Sequence, residues 1–393
     1  MPRIRVLLSS STMAGGGSER QLLYLLRGLD RSHFEPILYL LRDTGEFLPQ
    51  IPSDVEKVAF WTNRNPPWLN WPGRIHHQQV QHLAETLREK KIAVAYDRLF
   101  HMTMISGPAC TQAGVPRVST IVSPPQFDLE RAENRWRWIK RKKLARAYAS
   151  SDALLSVSRG TADASAAYYG ISASKFEIVE SPIDIAGIEA KAQASIDGIL
   201  SPTSSGTEPP KRIVAVGRLS NEKGHRELLE AFALLSVELG KNYHLHIAGN
   251  GPLHDVLTQR IAELNLQDVV HLHGHLANPY PLMKQADLFV LPSHYEGLPN
   301  VLLEAMLLRC PVLATNTEQG AGEYLRNRPL GELVPVKSVS KIFLAMLDRF
   351  QNPQPWLDRI EPAYQHVRNH HHLDNWIQRI SEILERVHRR AAP

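Results

Sequence analysis

"RIRVLLSSSTMAGGGSERQLLYLLRGL", residues Arg3 to Leu29, decides the fold. Ile4 to Ser10 is an apolar run of strand length, and Gly15, Gly16 and Gly17 supply a loop. Leu22, Leu23, Leu25, Leu26 and Leu29 then recur at helical spacing behind Ser18, a residue suited to cap the helix. A strand, a glycine-rich turn and a helix in immediate succession open a parallel α/β unit. The rhythm continues through strands "FEPILYLLR", "IAVAYDRLF", "RVSTIVS" and "DALLSVS", with "IHHQQVQHLAETLREKK" and a basic segment as intervening helices.

From about Pro182 to Arg212 the pattern decays, ending in "SPTSSGTEPPKR", the composition of a loop or linker. It restarts with "RIVAVGRL", "HRELLEAFALLSVEL", "YHLHIAGNG", "LHDVLTQRIAELN", "VVHLHGHL", "ADLFVLPS", "CPVLATN" and "LGELVPV". The tail, "LDNWIQRISEILERVHRR", is an amphipathic helix. We therefore expect an N-terminal Rossmann-like domain over 1–184, a linker over 185–211 and a C-terminal Rossmann-like domain over 212–360. Ligands of open α/β sheets bind at the carboxyl ends of the strands, so a cleft between the domains is the expected site.

The totals agree with this division. A chain of 393 residues is long for one core, and 43% hydrophobic with 22% charged residues describes a soluble globular protein. No apolar run approaches the roughly 18–20 residues that span a bilayer. Two cysteines, Cys110 and Cys310, in no metal-type spacing, fit a reducing cytoplasm. The net charge of +5 permits an anionic partner without identifying one.

Four segments carry candidate chemistry. "VGRLSNEKG" places Arg218 and Lys223 between a strand and a helix N-terminus, where two cations suit a pyrophosphate; the alternative is a pair of surface cations. "AGNGP" contains Gly249 in another strand-to-helix turn, which either admits a ligand or simply turns the chain. "MAGGGSER" fails the dinucleotide fingerprint because Arg20 stands where a third glycine belongs, which disfavours a dehydrogenase. Its free N–H groups still suit an anion or a sugar hydroxyl. "SHYEGLPNVLLEAM" sets Glu296 in a loop and Glu304 about one turn into a helix that Pro299 helps to start. Carboxylates accept hydrogen bonds from vicinal hydroxyls, as in ribose recognition; the alternative is acidic charge near the N-terminus of a surface helix.

Read in order, these segments with "PVLATN" resemble the donor domain of the retaining nucleotide-sugar glycosyltransferases of GT-B architecture, glycosyltransferase family four, also called group one. The E-x7-E element of that family matches Glu296 and Glu304, "GGGSER" resembles its Gly-Gly loop, and "SSDALLSVSRGTAD" resembles a further stretch. The resemblance implies two Rossmann-like parallel-sheet domains facing across a cleft, with the C-terminal helix, about 370–393, crossing back to the N-terminal domain. It implies that Arg218 and Lys223 hold the donor diphosphate, Glu304 the ribose and Glu296 the transferred sugar. The backbone of Gly297, Leu298, Pro299 and Asn300 would lie beside the sugar and phosphates, and Gly16 and Gly17 would face the donor. It further implies metal-independent transfer of a hexose-type sugar to a hydroxyl of a glycan or lipid-linked acceptor, in cell-envelope or exopolysaccharide biosynthesis, with no cofactor.

The chain departs from that pattern in four places. Where many members carry a histidine, Val122 or Ser123 stands; His101 is the substitute we name, against its reading as an ordinary loop histidine. Ser181 replaces an asparagine, Arg309 a small residue, and "EQGAGEYL" is an imperfect turn with Glu323 as its candidate. A catalytically impaired nucleotide-sugar-binding scaffold and a nucleotide-sugar epimerase are therefore the alternatives. The basic stretch over 135–146, interleaved with Trp136 and Trp138, suits either an anionic membrane surface or a solvated helix face, giving a protein that is cytoplasmic or peripheral at the inner membrane face. No accompanying motif suggests nucleic acid. The histidines of "NHHHLDN", "YHLHIAG" and "VVHLHGHL" have no cysteine or acidic partner at ligand spacing, so no metal site is expected.

Overall fold

The computed structural model describes residues 3–62, 73–126, 136–196, 209–326 and 328–391. The chain divides into two compact units, Met1–Pro182 with Leu373–Pro393, and Ile183–His372.

The first unit is built on a seven-stranded parallel sheet in the order β3-β2-β1-β4-β5-β6-β7. Its strands are β1 (Ile4–Ser10), β2 (Phe34–Leu40), β3 (Glu56–Ala59), β4 (Val94–Arg98), β5 (Arg117–Ile121), β6 (Ala153–Ser156) and β7 (Phe176–Ile178). Alternation along β1 feeds two cores. Val6 and Leu8 meet the leucines of the Gly17–Gly28 helix, whereas Leu7 packs with Leu83 and Leu87 on the opposite face. That helix begins at Gly17 with Gly16 as its cap, so Ser18 lies inside the first turn and caps nothing. The backbone at Gly15 has φ +92°, which turns the chain into the helix before Ser18 is reached.

The last helix, Leu373–Ala391, belongs to this first unit. Trp376, Ile380, Ile383, Leu384 and Val387 form its apolar stripe and are buried in the core beneath β1. Arg379 and Arg386 both pair with Glu177, and His33 Nε2 lies 3.0 Å from Glu385. Below the sheet, buried Asp97 accepts from Arg117 Nη1 at 2.9 Å, Thr103 Oγ1 at 2.5 Å and Ser106 Oγ at 2.6 Å. A charged pair at this depth is tolerated because its remaining hydrogen-bonding capacity is met by these hydroxyls.

The second unit carries a six-stranded parallel sheet in the order β10-β9-β8-β11-β12-β13. These strands are β8 (Lys211–Val216), β9 (Tyr243–Ala248), β10 (Val270–Leu272), β11 (Leu288–Leu291), β12 (Val312–Thr315) and β13 (Glu332–Val334). Leu228, Leu229 and Phe232 of the His225–Leu239 helix pack with Ile213, Leu245, Ile247 and Val290 into its core. In both sheets the strand order reverses beside the first strand, at β1/β4 and at β8/β11. Such a switch point leaves the two loops above it splayed apart, with room for a ligand.

The expected linker over 185–211 begins as ordered structure. Ile185–Lys191 is a helix capped by Asp184, whose side chain accepts from Gly187 N–H, and Ile185 and Ile188 are buried. Two apolar anchors and a cap explain why a short helix forms where the composition suggested a loop. The Ser/Pro/Gly-rich part, 197–208, lies outside the described residues. Ile360–His370 likewise extends the second unit beyond the expected limit at 360. Cys110 and Cys310 are free and buried, their thiols pushed up to about 12 chiefly by burial. Among the described residues no helix is long and apolar enough to cross a membrane.

Candidate functional site

The loops after β8 and β11 meet above the switch point of the second sheet. Gly224 (φ +66°) lets them touch, since a Cβ there would lie 2.0 Å from the carbonyl oxygen of Pro292. Ser220 Oγ donates to Glu222 Oε1 at 2.6 Å, and the Glu222 carbonyl accepts from His294 N–H at 2.8 Å. The His294 ring in turn lies 3.0 Å from Glu227. On this frame Lys223 Nζ approaches Glu296 Oε1 to 2.5 Å, and Ser293 Oγ donates to the same oxygen at 2.7 Å. Arg218 is exposed, and its guanidinium makes no ion pair among the described residues.

The neighbouring loops brace this pair through glycine. At Gly249 (φ +152°) a Cβ would fall 1.9 Å from the Gly217 carbonyl, and at Gly251 it would fall 2.3 Å from that of Leu219. Leu219 N–H also donates to the Asn250 carbonyl at 3.0 Å. The "AGNGP" turn thus supports the Arg218 loop by close backbone packing. Gly320 (φ +68°) does the same for the Glu296 loop, where a Cβ would come within 1.6 Å of the Gly297 carbonyl. Gly322 is equally constrained against Thr317, so "EQGAGEYL" keeps its turn; Glu323 sits half-buried in the first turn of Ala321–Arg326.

Pro299 caps the Asn300–Leu307 helix, and Gly297, Leu298 and Pro299 are buried. Glu304 is only 4% exposed, which rules out the surface-helix reading; Tyr280 OH donates to its Oε1 across 3.5 Å. A carboxylate already taken out of water in this way incurs little further desolvation cost when a ligand approaches it.

His225, not singled out from the sequence, is 2% exposed beside Gly217 and Lys223. Burial first and the Lys223 charge second lower its pKa to about 4, partly opposed by the backbone of Gly217 and Arg218. From sequence it reads only as the first residue of a helix.

On the first unit, exposed Gly16 and Gly17 stand where the loop after β1 enters its helix, Gly16 as the cap and Gly17 as the first helical residue. Exposed His101 is the second residue of the Phe100–Ala113 helix that follows β4, so these residues flank the switch point of their own sheet. Val122 is half-buried directly after β5, and Ser181 is buried. His76 has its pKa lowered to about 4 by burial, then by Lys143 and His101.

Arg309 has φ +62°, the left-handed conformation that ends a helix and favours glycine. Its guanidinium lies over the Tyr364 ring, 3.8 Å from the centroid, and pairs with Glu361. In the Arg137–Ala149 helix, Leu144, Ala147 and Tyr148 are buried, whereas Trp136 is 51% and Trp138 69% exposed. Arg141 is occupied by the Tyr168 ring and carbonyl. Arg135 lies outside the described residues.

Strands β9 and β10 pair in parallel and bring histidines that are distant in sequence onto one face. The ligand atoms of His244, His246 and His271 all lie within 4.8 Å of one another.

The chain matches the family model for glycosyl transferases group 1 over residues 201–365 and that for glycosyltransferase family 4 over residues 15–186. It is 32% identical over 218 residues to a Campylobacter jejuni N-acetylgalactosaminyltransferase named for an acceptor on diphospho-undecaprenol. That match covers 56% of this chain and 54% of the relative, so the chain spans about half the length of that curated relative. A second Campylobacter jejuni enzyme, an α-1,4-N-acetyl-D-galactosaminyltransferase also named for a diphospho-undecaprenol acceptor, is 25% identical over 82% of each chain. The structure of Anabaena HepE in complex with UDP superposes with a TM-score of 0.76 at 20% identity, covering 98% of this chain and 100% of that one. At that identity the likeness establishes the fold.

Proposed function

The chain belongs to the group 1, family 4 glycosyltransferases of GT-B fold, and from that premise we propose that it transfers a hexose-type sugar from a nucleoside diphosphate sugar to a hydroxyl of a glycan or lipid-linked acceptor, with retention at the anomeric carbon. One observation carries the reading: Lys223 and the Glu296 carboxylate pair above the β8/β11 switch point, beside the N-terminus of the helix that buries Glu304, with Arg218 exposed on the same loop as Lys223.

In this reading the diphosphate lies against Arg218 and Lys223, and Glu304 accepts from the ribose hydroxyls. Glu296 orients the sugar. As the bond from the anomeric carbon to the phosphate oxygen breaks, charge gathers on the leaving diphosphate, where fixed cations lower the barrier most. The acceptor oxygen bonds to the same face of that carbon, and its proton passes to the departing phosphate oxygen. No protein nucleophile is needed, and the balance is one glycosidic bond formed for one broken. Lipid-linked acceptors in the names of the two Campylobacter jejuni relatives support an envelope-glycan substrate. The exposed Trp136 and Trp138 beside Lys140, Lys142 and Lys143 would bring such an acceptor's membrane to the first unit.

Release of nucleoside diphosphate, measured with a panel of UDP, GDP and ADP sugars and with glycan or lipid-diphosphate acceptors, tests the reading. Acceptor-dependent release with an α-linked product from an α-linked donor supports it. Val122 in place of the family histidine favours the scaffold as second reading, and donor binding without turnover for every acceptor would select it. Donor conversion without acceptor would select the epimerase. Pelleting with anionic vesicles at low salt, lost on Trp138→Ala, tests the membrane contact; no pelleting removes it.

A further inference from the structure

We propose that His244, His246 and His271, backed by His273, form a binding site for a divalent transition cation of the zinc, nickel or copper type. The inference stands apart from the transferase reading, because none of these residues belongs to the loops above β8 and β11.

The site follows from strand register. β9 and β10 pair in parallel with His271 opposite His246, so the two-residue period aligns His244 and His246 with His271 and His273 on one face. Leu245 and Ile247 turn into the core on the other. His244 Nδ1 lies 3.1 Å from His271 Nε2, and His246 Nδ1 lies 3.0 Å from His273 Nε2. The rings are layered, with His246 and His271 centroids 4.8 Å apart at 22° and His246 and His273 5.2 Å apart at 13°. Zinc holds imidazole nitrogens at about 2.0–2.1 Å, which sets tetrahedral ligands about 3.3 Å from one another. One pair already meets that spacing, and the third ligand atom, within 4.8 Å of both, needs a rotation of its ring to join them.

The chemistry of the cluster suits such an ion. Imidazole is a borderline ligand that favours zinc, nickel and copper over calcium or magnesium. Burial keeps His244, His246, His271 and His273 below the usual histidine range, His246 at about 3, so their lone pairs are free at neutral pH. Binding therefore displaces N–H···N hydrogen bonds by a change of tautomer and releases no proton. Arg212, paired in register with His244 on β8, is the opposing charge. His271 on the edge strand and His273 just beyond its end are half-buried, which gives the ion a route in. Held there, it would clip β10 to β9, next to the Gly249 N–H to Gly274 carbonyl hydrogen bond of 2.7 Å that closes the following turn.

The test is calorimetric titration of chelator-treated full-length protein with Zn2+, alongside Co2+ as an optical probe. We expect one equivalent bound at micromolar concentration, the visible bands of tetrahedral Co2+, and a rise in the thermal midpoint that follows Zn2+ concentration. His271→Gln and His244→Gln, both at half-buried positions, should each weaken binding at least tenfold without changing the melting of the metal-free protein. His246→Leu should abolish it. His370→Ala, at an exposed histidine elsewhere, should change nothing, and Arg212→Gln should tighten binding. Absence of stoichiometric binding overturns the proposal, as does binding that survives both glutamine variants or is lost with His370→Ala.

Discussion

Lys223 Nζ lies 2.5 Å from Glu296 Oε1, so the lysine proposed to hold the donor diphosphate is paired with the carboxylate proposed to hold the sugar. The two are mostly shielded from water, 23% and 12% exposed, so each strongly affects what the other can bind. Removing the Glu296 charge frees Lys223 for phosphate. We expect Glu296→Gln to bind nucleoside diphosphate a few-fold more tightly while slowing sugar transfer at least tenfold. Lys223→Ala should weaken nucleoside diphosphate by about 1.5–3 kcal/mol, the range for a hydrogen bond to a charged group. Calorimetry of both variants decides it: equal affinity in wild type, Glu296→Gln and Lys223→Ala would remove the pair from the site.

Glu304 is buried with Tyr280 as a partner, which makes it a preorganised acceptor for ribose hydroxyls. Glu304→Gln keeps the volume but replaces one acceptor oxygen by a donor. It should cost about 1–3 kcal/mol of nucleoside diphosphate affinity, the penalty for a mispaired buried polar group, and leave inorganic pyrophosphate binding unchanged. Equal losses for both ligands would show that Glu304 acts on the loop and not on the ribose.

Gly320 is where the β12 loop supports the β11 loop. A methyl group there would meet the Gly297 carbonyl at 1.6 Å, on a backbone already at φ +68°. Gly320→Ala therefore forces the Glu296 loop to move and should destabilise the second unit by about 1–3 kcal/mol, as overpacking does. Gly240→Ala, at φ +80° with open space around it, shares the backbone cost without the collision. Thermal melts of the two, with donor affinity, separate the effects; loss of donor affinity is expected for Gly320→Ala alone.

The alternating strands and helices, the glycine turns and the E-x7-E spacing were legible because each depends on local chemistry. What stayed hidden depends on which strands become neighbours. Asp97 and Arg117 are 20 residues apart and read as ordinary strand charges until β4 pairs with β5. His244 and His271 become one cluster only through the β9–β10 register. The helix at Ile185–Lys191 was obscured by its polar surroundings, since two buried isoleucines are too few to set a visible period. Gly249 illustrates the intermediate case: its turn was evident, but not the Gly217 carbonyl against which it packs.

Arg309 ends its helix in a conformation that glycine would adopt without strain, and it retains a stack on Tyr364 as compensation. Arg309→Ala removes the stack and keeps the strained φ of +62°. Arg309→Gly removes both. The alanine variant should consequently be the less stable of the two by about 1 kcal/mol, the usual cost of a side chain in the left-handed region. Chemical denaturation of both variants is the measurement, and an alanine variant at least as stable as the glycine variant would show that the backbone there carries no strain.

His225 and His246 give stability an acid limit whose sign follows from their burial. Their folded pKa values, about 4 and about 3, lie below the ordinary value near 6.5, so the fold holds both rings neutral while the unfolded chain protonates. Their contribution is complete above pH 6.5. It is lost as pH falls through about 4 for His225 and about 3 for His246. Each ring adds a slope of up to about 1.4 kcal/mol per pH unit inside its window. Urea unfolding of the metal-free protein should weaken steadily from pH 7 to pH 5. His225→Leu, which has no ring to protonate, should remove one proton's share of that slope. A His225→Leu slope equal to that of wild type would mean that the ring is charged in the fold, and that Lys223 has a second cation beside it.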